Sequence, residues 1–151
     1  MLEILASLMM IVPTNSFAAD ESAPAPAKAV ELIFSGIRSS NGKIAIAVFD
    51  SREAKTFPKG ERALKHVVAA NECKDGKLTV TIPDLPPGEY AFAIFHDEDS
   101  DGQFKFGFMG VPKEGLAFSN NPKIYFGPPS FEKAKVAVGT VTRLEIEMKY
   151  F

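Results

Sequence analysis

The chain has 151 residues, with 17 Lys and Arg against 19 Asp and Glu and a formal net charge of −2. That balance offers no basic field for a nucleic acid, and a single cysteine, Cys73, excludes an intrachain disulfide. The length fits one domain that buries about two-thirds of the surface of its unfolded chain, so an apolar core has to hold it together.

Residues 1–19 read as a secretory signal. An apolar run from Ile4 to Val12 is broken by Pro13, and Ser16-Phe17-Ala18 follows as a small-x-small cleavage pattern. The run is too short to span a bilayer, which needs about 20 helical residues, so no membrane span is expected once the signal is removed. Residues 20–29 turn to Ala, Pro, Ser and acidic residues and read as a disordered Ala/Pro linker. The folded domain is expected over 30–151.

Within that domain the periodicity is that of strands. Val30 to Phe34 has strand composition, and Asn41-Gly42 is a turn signal before Lys43 to Asp50, where Ile44, Ile46 and Val48 alternate with Ala45, Ala47 and Phe49. Apolar residues on both sets of positions predict a strand buried on both faces. Ser51 to Gly60 is a polar loop with one helical turn near Glu53 to Lys55. In Ala63 to Ala70, Leu64, Val67 and Val68 suit a helical stripe and His66, Val67 and Val68 suit a strand, and its β-branched residues and strand neighbours favour the strand. Asp75-Gly76 predicts a tight turn into Leu78 to Ile82, which alternates cleanly.

A proline-fixed turn, Pro83 to Gly88, leads into Tyr90 to His96, and two further strands are expected over Ala134 to Val138 and Thr142 to Met148. Short strands at this spacing, with Gly and Pro turns between them, predict an all-β fold. The expected form is an antiparallel Ig-like or transthyretin-like β-sandwich of about seven strands with one long loop. Cys73 is expected to be buried at a strand end as a small hydrophobe.

Leu85-Pro86-Pro87-Gly88-Glu89-Tyr90 resembles the Pro-Gly-x-Tyr turn of transthyretin-like and carboxypeptidase-regulatory-like sandwiches. More of the chain, about Val30 to Tyr150, resembles the DUF2141 family of exported bacterial proteins. The residues that carry this are Gly88-Glu89-Tyr90, His96-Asp97 with Asp99, Asp101 and Gly102, Gly107 to Pro112, Glu114-Gly115, and Phe118 to Asn121. The resemblance implies a periplasmic or secreted β-sandwich and supplies no reaction. The chain departs from other members in the acidic loop, where they tend to carry Asn, and near Lys105, where they tend to carry an acidic residue.

Chemistry concentrates between His96 and Asn121. Asp97, Asp99 and Asp101 followed by Gly102 reproduce the first half of a calcium loop, in which alternate side chains turn to one centre and the glycine permits the bend. Gln103 would supply a carbonyl. Lys105 and Phe108 stand where the second half needs acidic ligands, so a remote Glu114 or Asn120 has to complete the site. Such a site belongs to the weak extracellular class, with Kd of about 10⁻⁴ to 10⁻³ M. The competing reading is a solvated turn whose aspartates cap backbone N–H groups.

Phe104, Phe106 and Phe108 would share one face if the segment is extended. There they either cap the sandwich with Pro112, Leu116 and Phe118, or line a groove with Tyr125 and Phe126. His96 beside Asp97 invites a catalytic role. Neighbouring strand residues face opposite sides, however, and no nucleophile motif accompanies the pair.

The sequence therefore reads as an exported, non-catalytic binding or structural module, periplasmic or secreted, and monomeric or a weak dimer. Its candidate ligand contacts are His96, Phe104, Phe106, Phe108, Phe118, Asn120 and Tyr125, for a small molecule, glycan or peptide. Its candidate metal ligands, for Ca²⁺, are Asp97, Asp99, Asp101, Gln103 and Glu114. The alternatives are a weakly Ca²⁺-stabilised adhesion or carbohydrate-binding domain, and a hydrolase using His96.

Overall fold

The computed structural model describes residues 26–61 and 63–151. The expected signal and most of the expected linker lie outside the described residues. Among the described residues eight strands form: β1 (Lys28–Ser35), β2 (Lys43–Asp50), β3 (Leu64–Ala69), β4 (Leu78–Leu85), β5 (Gly88–Asp97), β6 (Gly115–Phe118), β7 (Val136–Val138) and β8 (Arg143–Glu147). One short helix, α1 (Phe131–Ala134), precedes β7. The first strand thus begins two residues inside the expected linker, where Lys28 already pairs with Leu85.

The strands divide into a three-stranded sheet ordered β4-β1-β8 and a five-stranded sheet ordered β3-β2-β5-β6, with β7 also paired to β5. The two sheets face each other across one core. β1 contributes Val30, Leu32 and Phe34, β4 contributes Leu78, Val80 and Ile82, β2 contributes Ile44, Ile46 and Val48, and β5 contributes Phe92 and Ile94. These are the alternate residues of each strand, as a pleated sheet covered on one face requires.

The outer face of the five-stranded sheet is covered as well. Phe49, Ala91, Leu116, Phe118 and Phe131 form a second cluster there, against which Ala47, Ala93, Phe57 and Phe104 pack. Phe57 is the hub, meeting Phe49, Phe118 and Phe131 edge-on with ring centroids 5.1, 5.9 and 6.1 Å away. This second layer is why β2 carries apolar side chains on both faces.

Three differences from the sequence reading have physical reasons. The count rises from seven to eight because β6, Gly-Leu-Ala-Phe, is buried at all four positions and so shows no alternation. One pair is parallel rather than antiparallel: β8 runs alongside β1 in register Leu32 with Leu144 and Phe34 with Ile146. The chain leaves β7 on one sheet and enters the other beside β1, where Thr142 accepts the Glu31 N–H at 2.8 Å. The helical turn near Glu53 is a 3₁₀ turn over Ser51–Glu53, capped by the Asp50 carboxylate on the Arg52 N–H at 2.8 Å.

Candidate functional site

The end of β5 sets the site. In the antiparallel pairing of β5 with β6, His96 lies opposite Gly115. Continuing that register by one residue places Asp97 opposite Glu114, so an acid at the end of one strand meets an acid at the start of the next. Both are almost wholly buried, at 4% and 5% exposure. The chain between them turns back over the pair.

That turn is built by the aspartates themselves. Asp97 accepts the N–H of Asp101 and of Gly102, at 3.2 and 2.9 Å. Asp99 accepts the Asp101 N–H at 3.3 Å and Asp101 accepts the Gln103 N–H at 2.9 Å. Ser100 and Gly102 both take positive φ, of 59° and 74°, which closes the loop. The result is that Asp97, Asp99, Asp101 and Glu114 each offer a carboxylate oxygen, all within 4.8 Å of one another. Gln103, expected to add its carbonyl, is exposed.

Electrostatics follow from this crowding. Burial, and then the charges of Asp97, Asp99 and Asp101, hold the Glu114 carboxyl above the usual glutamate range, against the Lys105 N–H that its Oε2 accepts at 3.4 Å. Glu114 has no cationic partner in any ion pair among the described residues. The Lys105 ammonium bridges the two exposed members, Asp99 and Asp101. It lowers the Asp99 carboxyl and is itself raised above the usual lysine range, first by Asp101 and then by Asp99.

The phenylalanines do not form one extended ribbon. Backbone hydrogen bonds from the Lys113 N–H to the Lys105 carbonyl at 3.0 Å and from the Gly107 N–H to the Val111 carbonyl at 2.6 Å fold the segment into a hairpin, with Phe106 bridged to Pro112. Met109 and Gly110, at φ of 56° and 74°, make its tip. Phe104 turns inward, edge-on to Phe95 at 6.0 Å and Phe106 at 5.0 Å. Phe108 stands out in solvent at 89% exposure.

Other expected contacts move as well. Phe118 is buried in the outer cluster. Asn120 points its amide at the Lys133 carbonyl, 3.2 Å away, which pins the connection after β6 rather than presenting a ligand contact. Tyr125 is exposed, at 73%. Cys73 is half-buried at the edge of the main core.

His96 has no exposure, and both ring nitrogens are engaged: Nδ1 lies 2.8 Å from the Tyr150 hydroxyl and Nε2 lies 2.7 Å from the Asn41 carbonyl. It is a structural residue that ties β5 to the chain end. Its ring therefore presents no exposed nitrogen to a ligand or substrate. Ser119, also without exposure, accepts the Phe92 N–H at 2.9 Å and donates to the Ala134 carbonyl at 2.5 Å.

Sequence reasoning missed the brace behind the loop. Arg38 pairs with Glu98, covers the Tyr150 ring at 4.5 Å, and donates to the Lys113 carbonyl at 3.2 Å. Ser39 also donates to Glu98, at 2.6 Å. These residues come from the β1–β2 connection and the last residues of the chain, and no local pattern marks them. A surface depression of about 520 Å³ beside Asp50, Arg52 and Glu53 lies at the other end of β2, because Asp50 pairs with Tyr90 whereas Lys43 pairs with Asp97.

No helix among the described residues is long and apolar enough to cross a membrane. Neither a curated protein nor a solved structure matches the chain. A family profile, however, matches residues 33–145, a span that includes β2 to β7 in full, the whole acidic loop, and parts of β1 and β8. The chain belongs to that family, described as uncharacterized protein conserved in bacteria (DUF2141).

Proposed function

We propose that this chain is an exported, non-catalytic binding module whose acidic loop takes one Ca²⁺ ion. The observation that carries this reading is the meeting of Asp97, Asp99, Asp101 and Glu114 within 4.8 Å. Ligands around one calcium at 2.3 to 2.6 Å stand no more than about 5 Å apart, and the four oxygens meet that limit. The donor set is entirely hard oxygen, without His or Cys, which suits Ca²⁺ rather than Zn²⁺. Glu114 takes the part of the late acidic ligand, delivered by strand pairing instead of by the same loop. Buried like charges without a counter-ion are costly, and a divalent ion removes that cost.

The role of the ion is to fix the loop and hairpin that the sandwich displays. Export is supported by the signal-like residues 1–19. Calorimetric titration with Ca²⁺ and with Mg²⁺, together with melting in millimolar Ca²⁺, tests the reading. At ten times Kd the folded state gains about 1.4 kcal/mol, and Asp99→Ala, at an exposed position, removes both heat and gain. Absence of heat and of any melting shift in the parent protein would sink it.

A further inference from the structure

The hairpin that follows the acidic loop carries its apolar residues on the outside. Phe106, Phe108, Met109 and Val111 are 59, 89, 86 and 43% exposed. Large side chains grouped in this way mark an interaction site, whereas scattered ones need no explanation. They stand on a hairpin tip, and the backbone bonds of Gly107 with Val111 and Lys113 with Lys105 shape that tip in advance.

Two features point to the kind of partner. At their exposed fractions the four side chains supply on the order of 500 Å², short of the roughly 800 Å² per partner that a stable protein interface buries. A lipid surface needs less, because an apolar wedge of aromatic and aliphatic residues enters only about 5–10 Å past the headgroups. The second feature is charge. Lys113 flanks the tip with no acidic partner among the described ion pairs, its stem against Gly107, where an added Cβ would meet it at 3.3 Å. Lys105 flanks the other side but is held by Asp99 and Asp101.

We propose that the tip Phe106–Val111 inserts into an anionic lipid surface, and that cation binding in the acidic loop switches this insertion on. The switch rests on the calcium reading of the loop. Without the ion, the four carboxylates flank the base of the hairpin, where Lys113 bonds to Lys105, and repel anionic headgroups. A divalent ion cancels two of those charges and displaces the Lys105 ammonium from Asp99 and Asp101. Both flanking lysines then face the headgroups, and their aliphatic stems suit the interface.

The test is co-sedimentation of the purified protein with phosphatidylglycerol–phosphatidylcholine vesicles, in millimolar Ca²⁺ or in EDTA, beside calcium calorimetry without lipid. The expected result is pelleting in Ca²⁺ that falls at least about tenfold in EDTA, on pure phosphatidylcholine, and in the Phe108→Ser, Met109→Ser double variant, whose calcium heat and melting stay as in the parent. Calcium heat with no pelleting overturns the lipid proposal and leaves the calcium site standing. Pelleting that ignores the double substitution overturns the role of the tip. A Ca²⁺-dependent dimer in ultracentrifugation that the double variant loses, without pelleting, assigns the tip to a second copy instead. Lack of calcium heat with cation-independent pelleting overturns the switch, and lack of both overturns the two readings together.

Discussion

His96 and Tyr150 share a hydrogen bond of 2.8 Å between Nδ1 and the phenol oxygen, with their rings at 75°. The Asn41 carbonyl can only accept, so His96 carries a hydrogen on Nε2, and in the neutral ring Nδ1 accepts from Tyr150. Tyr150→Phe therefore leaves a buried acceptor without a donor, which costs about 1–3 kcal/mol. Denaturant unfolding of the variant measures this cost. A loss below about 0.5 kcal/mol, within the usual range for surface changes, counts against the assignment, as does an NMR spectrum showing the Nδ1–H tautomer.

The turn before β2 is as demanding as the pair it adjoins. Gly42 takes φ of +71°, and a Cβ there would lie 1.9 Å from the Asp97 carbonyl oxygen and 2.7 Å from the Glu98 backbone. Left-handed backbone alone costs a non-glycine residue roughly 1–2 kcal/mol, and the clash is with main chain that cannot swing away. Gly42→Ala is expected to lose more than about 2 kcal/mol and to displace the start of the acidic loop. Thermal melting checks the first effect, and calcium calorimetry on the folded fraction checks the second.

Legibility in the sequence followed periodicity. β2 and β4 were plain because alternate residues face a core, and the two-faced burial of β2 was written in Ala45, Ala47 and Phe49. Asp97, Asp99 and Asp101 announced a loop for the same reason, since spacing by two turns side chains one way. What depends on partners distant in sequence left no such mark. Leu116 to Phe118 is buried on every side and alternates with nothing, and β8 lies parallel to β1 only because of where the chain crosses. The Phe104 to Phe108 spacing suggested a ribbon, but Met109 and Gly110 turn it into a hairpin. Glu114 was named as a remote ligand from its charge alone, and only the β5–β6 register explains its arrival beside Asp97.

The brace of Arg38 on Glu98 gives a pH-dependent contribution. Hydrogen bonding to Arg38, ahead of its charge, lowers the Glu98 carboxyl below its ordinary value of 4.5. A lowered carboxyl stabilises the fold above that value, and the contribution is lost as pH falls through the folded value. Glu98→Gln thus differs from the parent at neutral pH and converges with it in acid. The side chains are 45% and 23% exposed, so the difference is held to about 0.2–1 kcal/mol. Arg38→Met removes the same term and also the cation over the Tyr150 ring, and that second loss persists at every pH. Unfolding curves between neutral and acid pH separate the two variants, and parallel curves for both would refute the assignment.

Glu114 has the opposite sign, and this makes it the sharpest probe of the loop. Burial and the three aspartates raise its carboxyl above the ordinary 4.5, so without a cation the folded state resists its ionised form. Its unfavourable contribution is absent well below 4.5, grows as pH rises toward the raised folded value, and is complete beyond it. Glu114→Gln keeps the shape and removes the charge. In EDTA at neutral pH the variant is expected to melt above the parent protein, and the difference is expected to vanish in acid. In Ca²⁺ the order reverses, because the parent gains about 1.4 kcal/mol at ten times Kd while the variant lacks one of the four ligands and gains little. Melting curves with and without Ca²⁺ at neutral and acid pH read both effects. A variant less stable than the parent in EDTA at neutral pH would mean that Glu114 serves the fold and not a cation, since a purely structural carboxylate leaves a deficit in either condition.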